Sequence, residues 1–187
     1  MASPLFHGEI KHTESTILLL FRTQYRTFCQ KQMLVRFALG LALIFTGVFA
    51  GLPGALRVVL LILGAWLTVS LDFPGQMNAD KALAARKALL PTMRYDFFDD
   101  EMKISGEGSL RMPYGKLIRL VVDAHYLYLF SSPDAVCMVD CSTVKPDVEK
   151  LAAFLAEKTG LEWRASKSFF SLNLYDLLRI LKKDGKK

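Results

Sequence analysis

FALGLALIFTGVFA at residues 37–50, GLPG at 51–54 and ALRVVLLILGAWLTVSL at 55–71 decide how the rest of this chain is read. No side chain is charged from Phe37 to Ala50, nor from Val58 to Leu71. Helices that line a water-soluble core usually keep a polar face, and these stretches have none. They are expected to cross a bilayer as a tight helical hairpin, with spans of about 32–50 and 55–71. At 1.5 Å per residue the first span covers most of a ~30 Å hydrocarbon core, provided Arg36 extends its guanidinium to the headgroups. Gly51-Leu52-Pro53-Gly54 has the residues that stop one helix and start the next. Arg57 stands near the start of the second span, able to reach back to the interface, and Trp66 lies in its second half. Both spans are short, which local thinning of the bilayer would accommodate.

Orientation follows from the basic residues close to the spans. Arg22, Arg26, Lys31 and Arg36 precede the first, and Lys81, Arg86 and Lys87 follow the second, whereas the connecting loop side has only Arg57. That asymmetry places both termini on the cytoplasmic side. The first apolar block begins more than thirty residues in and a second follows at once, unlike a cleaved signal peptide. Within the first span Ala38, Ala42, Thr46 and Ala50 recur every four residues, with Gly40, Gly47 and Gly51 nearby. Such small residues let membrane helices approach closely. Two occupants fit the stripe: the second span of the same chain, through Gly64, Ala65 and Thr68, or a second copy of the chain in a homodimer.

Outward from the hairpin the pattern changes. Leu5–His12 alternates as a strand does, and Thr13-Glu14-Ser15 can cap a helix that carries Leu18, Phe21, Tyr25 and Phe28 on one stripe and enters the bilayer without a break. Beyond the second span, Gln76–Leu90 reads as a helix ended by Pro91. From there the apolar period is two. Tyr95 and Phe97 precede an Asp99-Asp100 turn, Met102 and Ile104 follow it, and short strands are expected at 110–112, 117–122, 125–130 and 135–140. Pro146 opens a helix to Thr159, with Gly160 as its stop. The resulting division is a leading strand and juxtamembrane helix at 1–31, the hairpin at 32–72, a linker helix at 73–91, a β domain at 92–163 and a basic tail at 164–187. The fold class is α+β, an antiparallel β domain capped by a helix and attached to a membrane hairpin.

Two spans near the N-terminus, Tyr95-Asp96-Phe97-Phe98-Asp99-Asp100-Glu101, a glycine pair, and Met112-Pro113-Tyr114-Gly115-Lys116-Leu117-Ile118 together resemble the YcxB-like proteins of bacteria. That resemblance implies a membrane-anchored, pleckstrin-homology-like domain in the inner membrane and implies no catalytic residues. The chain departs from lipid-binding members of the wider fold. Where those carry basic residues in the first hairpin loop, Asp99-Asp100-Glu101 would repel a phosphorylated headgroup. Protein or peptide binding fits better.

Hydrophobic residues make up 52% of the 187-residue chain, yet it carries a net charge of +6 that is unevenly placed. Residues 92–163 hold 8 basic and 12 acidic side chains, whereas 164–187 hold 7 and 2, and 1–91 hold 9 and 4. Basic flanks around an acidic module suit anionic lipid better than a nucleic-acid groove. In the tail, Phe170, Leu174, Leu177, Leu178 and Leu181 form a helical stripe beside Arg179, Lys182, Lys183, Lys186 and Lys187. Such a helix can lie on an anionic leaflet, and it can equally dock on the β domain or the linker helix.

Sites for chemistry are sparse. Asp99, Asp100 and Glu101 are carboxylates able to hold a hard cation or share a proton, and a solvated turn explains them as well. Cys137, Cys141 and His125 lack a fourth zinc ligand and the usual spacing. At strand rise, Cys137 and Cys141 would stand roughly 13 Å apart, too far for a disulfide, so reduced thiols are expected. No phosphate loop, nucleophile elbow or metal-binding histidine pair occurs. The chain is thus expected to be non-enzymatic, without cofactor or metal. Its expected partners are the lipid bilayer and a protein bound near the inner membrane, or, in the rival reading, the other spans of a transporter or envelope complex.

Overall fold

A computed structural model of the chain describes residues 3–85, 90–106 and 108–166. The described residues form an α+β fold of five α-helices and eight strands in two sheets. The described residues divide into two units, one built from residues up to Gln24 and from Ala79 to Ser166, the other from Tyr25 to Asn78.

In the first unit, β1 (Phe6–Lys11), β2 (Thr92–Phe97), β3 (Glu101–Ser105) and β4 (Ser109–Pro113) form an antiparallel sheet in that order. Strand β1 is in register with β2 from Phe6 opposite Phe97 to Lys11 opposite Thr92. The leading strand, expected as a segment apart from the β domain, is therefore its edge strand. Its alternation is legible locally, but its partner lies some eighty residues downstream. The second sheet runs β7 (Ala135–Asp140), β6 (Tyr126–Ser132), β5 (Arg119–Val122), β8 (Trp163–Ala165), with β8 parallel to β5. One corner between the sheets is closed by paired bonds between His7 and Lys145, and by the Thr143 hydroxyl, which donates to the Glu9 carbonyl and accepts from its N–H.

Alternation turns Tyr95, Phe97, Met102, Ile104 and Met112 of the first sheet inward, where they are buried with Leu120, Leu127, Leu129 and Val139 of the second. Helix α5 (Val148–Thr159) adds Leu151 and Leu155, which are fully buried, and Phe154, whose ring meets those of Phe6 and Tyr114. Asp147 caps α5 by accepting the Glu149 N–H, and Gly160 ends it in the left-handed conformation. Strand β6 is buried on both faces: Leu127, Tyr128, Leu129 and Phe130 are all inaccessible. Helix α1 (Glu14–Phe28) covers one of them. Its Thr23 stands beside the Tyr128 hydroxyl, which donates to Asp123, and Gln24 donates to the Pro133 carbonyl.

The second unit holds α2 (Gln30–Phe49), α3 (Gly54–Val69), the end of α1 and the first turns of α4 (Phe73–Ala85). The expected unbroken passage from α1 into the first span is interrupted at Cys29, whose backbone (φ −108°, ψ 25°) leaves helical geometry. The bonds Cys29 N–H to Tyr25 O and Met33 N–H to Cys29 O flank the break. Around it Tyr25, Met33 and Leu71 form a small core, with Cys29 and Phe37 packed against them.

Candidate functional site

The hairpin is the most distinctive surface of the molecule. Helices α2 and α3 meet through glycine. A Cβ on Gly64 would stand 2.7 Å from the Gly40 carbonyl and 2.7 Å from Ile44 Cγ1, and one on Gly40 would stand 2.7 Å from Thr68 Cγ2. Only a hydrogen fits at this crossing. The packing face of α2 consists of Met33, Phe37, Gly40, Ile44 and Gly47, buried or half-buried. Of the two occupants expected for the stripe Ala38, Ala42, Thr46 and Ala50, this corrects the same-chain one: all four are exposed. At about 100° per residue, those four positions centre on the opposite side of α2 from Gly40 and Gly47. Gly64 is where the close approach was expected, and its partners are Gly40 and Ile44.

The outside of the pair carries the bulk. Val35, Leu39, Phe45 and Phe49 on α2, and Val58, Ile62, Trp66 and Val69 on α3, are all more than half exposed, Val69 reaching 81%. A pair of helices folded for water hides such side chains and shows small or polar ones, so this arrangement is inverted. Among the described residues, α2 alone is both long and apolar enough to cross a membrane, and only 17% of its most apolar window is buried. Helix α3, with 16 residues, spans about 24 Å at 1.5 Å per residue. It attains spanning length only together with α4, from which it is bent by 62°.

The polar residues of the hairpin are used at its two ends. Arg57, expected as an interfacial anchor, turns back onto α2: its Nε donates to the Gly47 carbonyl at 3.0 Å and its Nη2 to that of Val48 at 3.2 Å. These carbonyls have no helical partner in the last turn, and a cation there also faces the negative end of the helix dipole. At the other end the Arg26 guanidinium grips Asp72 with two bonds, Nε to Oδ1 at 3.0 Å and Nη2 to Oδ2. The pair ties the end of α1 to the turn between α3 and α4. No short-range pattern announces it, because its members stand 46 residues apart. Arg36 and Trp66 are exposed. Arg179, Lys182 and Lys183 lie outside the described residues, as do Arg86 and Lys87.

On the first unit the acidic turn is held by its own neighbours. Lys158 Nζ donates to Asp99 at 2.7 Å, Arg111 to Glu101 at 2.7 Å, and the Tyr114 hydroxyl to the Phe98 carbonyl at 2.6 Å. The bond from Asp99 raises the Lys158 pKa, while burial first, then the three carboxylates, raises that of Tyr114. Asp99 is 72% exposed, so its pair with Lys158 is a solvated one of small energy. Cys137 and Cys141 are free and half-buried, and no three metal-capable side chains converge among the described residues. The outer face of the first sheet is a charged checkerboard in which Glu9 meets Arg94 and His7 meets Asp96. In comparison with known proteins, no family model, curated protein or solved structure matches the chain.

Proposed function

We propose that this protein is a non-enzymatic membrane anchor in which α2 and α3 cross the bacterial inner membrane and hold the β unit on the cytoplasmic side, where it binds a protein partner. One observation carries the reading: the helical excursion between Lys11 and Thr92 starts and ends on neighbouring, hydrogen-bonded strands. Paired strands must lie on one side of a membrane, so any crossing made between them comes in even number. Two crossings use the two apolar helices available. The choice of side rests on the basic residues, since Arg57 is engaged with α2 carbonyls and the loop offers no other cation.

The partner assignment rests on what the β unit offers. A four-strand meander followed by a three-strand meander and closed by α5 supports likeness to pleckstrin-homology-like binding domains. Its acidic hairpin turn disfavours a phosphorylated lipid as ligand. The rival reading, an accessory subunit of a transporter or envelope complex, draws on the exposed small-residue stripe Ala38, Ala42, Thr46 and Ala50. Photo-crosslinkers at Ser109, on edge strand β4, and at Ala42 in native membranes separate the two. Adducts from Ser109 to a defined protein are expected. Adducts from Ala42 alone, to other membrane-spanning proteins, would replace the anchor reading with the subunit reading.

A further inference from the structure

Building on the anchor reading, we infer that the start of α4 is an interfacial helix, seated in the headgroup layer of the bilayer by Phe73 and Met77. Three turn residues, Ser70–Asp72, separate it from α3, and Val69, Phe73 and Met77 belong to the same unit. Large apolar exposure continues across the turn: Val69 is 81% exposed, Phe73 51% and Met77 43%. Phe73 and Met77 are four apart and so share one side of α4, while Gly75 and Ala79 are buried on the other.

The bend sets their height. A helix tilted 62° from α3 advances along the α3 axis by only about 0.7 Å per residue instead of 1.5 Å. Met77 therefore lies only about 3 Å farther out than Phe73, and both stay within the roughly 5–7 Å of headgroup region outside the hydrocarbon. Asp80 and Lys81 follow on the exposed side of α4, where the tilt has carried the helix farther toward water. Apolar side chains near the acyl boundary with charges just above them match the depth profile of an interfacial helix. A straight continuation of α3 would have lifted Met77 about 6 Å above Phe73.

The test places single tryptophans in the full-length chain, with Trp66→Phe and Trp163→Phe as background, in phosphatidylcholine–phosphatidylglycerol vesicles with bromines at shallow or deep acyl positions. Ile62→Trp reports the span, Phe73→Trp and Met77→Trp the proposed surface, and Asn78→Trp another exposed side of α4. Phe73→Trp and Met77→Trp are expected to lose about twofold more emission to shallow than to deep bromines, with Asn78→Trp quenched chiefly by acrylamide from water. Quenching of Phe73→Trp and Met77→Trp by acrylamide alone, with Ile62→Trp still quenched by bromine, overturns the interfacial helix and leaves the anchor standing. Shielding of both from bromine and acrylamide also overturns it, because protein then covers the surface. Failure of bromine to reach Ile62→Trp defeats the anchor reading itself.

Discussion

Cys137 stands on β7 opposite Leu129, and burial pushes its thiol from 9.0 up to about 12. A thiol held protonated reacts slowly, because only the thiolate is the nucleophile. At pH 8 the thiolate fraction is about a thousandfold below that of the unfolded chain. Alkylation with iodoacetamide should accordingly be slow at Cys137 in the folded protein and fast after denaturation. Because the folded pKa is the higher one, the stability it represents is complete below pH 9 and is lost as the pH rises toward 12. Tyr95, Tyr114 and Tyr128, raised by burial above 10.0, carry the same sign and add to the loss at higher pH. Denaturant midpoints measured from pH 8 to 11 should fall, and Cys137→Ala should reduce the part that begins near 9, to which Cys141 also contributes. A midpoint independent of pH would show the thiol to be solvated. The sequence reading of Cys137 as a reduced thiol needed only its strand spacing from Cys141. Arg57 was legible only as a basic residue beside the loop, because the carbonyls it binds are released where α2 ends, and that end exists only once the hairpin has formed.

Among the elements, α2 and α3 show how far spacing can mislead. The four-residue recurrence of Ala38, Ala42, Thr46 and Ala50 is the more regular pattern, yet the contact is made by Gly40 and Gly47, seven apart, with Gly64 between their partners on α3. Seven residues return a helix to nearly the same side, and a glycine there admits backbone where alanine would not. Gly64→Leu is expected to destabilise the hairpin by about 1–3 kcal/mol through forced separation of the helices. Ala42→Leu, on the exposed side, is expected to leave it within about 0.5 kcal/mol. Thermal unfolding of the purified full-length chain in one detergent compares the two. A larger loss for Ala42→Leu would return the packing to the alanine stripe. Strands β1–β7 were legible from their period of two, and α5 from its opening proline and terminal glycine, whereas β8 is three residues long, lies across the boundary drawn between β domain and tail, and was not found. The break at Cys29 was not legible either, because no proline or glycine marks it.

For the molecule as a whole, the decisive pairing is β1 with β2, which joins residues 6–11 to 92–97 across the helical excursion. Sequence patterns find both strands and both apolar helices but not the pairing, since register between distant strands leaves no local trace. Once made, the pairing restricts the topology more than charge counting does, because it fixes the parity of crossings whatever the loop charge. The central claim is therefore that the Gly51–Gly54 loop stands on one side of a membrane and both flanking strands on the other. Single cysteines at Lys11, Pro53 and Ser109, in a chain whose Cys29, Cys137 and Cys141 are replaced, can be tested with a membrane-impermeant maleimide on intact cells. Pro53→Cys is predicted to label at once, and Lys11→Cys and Ser109→Cys only after permeabilisation. Labelling of all three on the same side, or of Lys11→Cys and Ser109→Cys on opposite sides, would contradict the account.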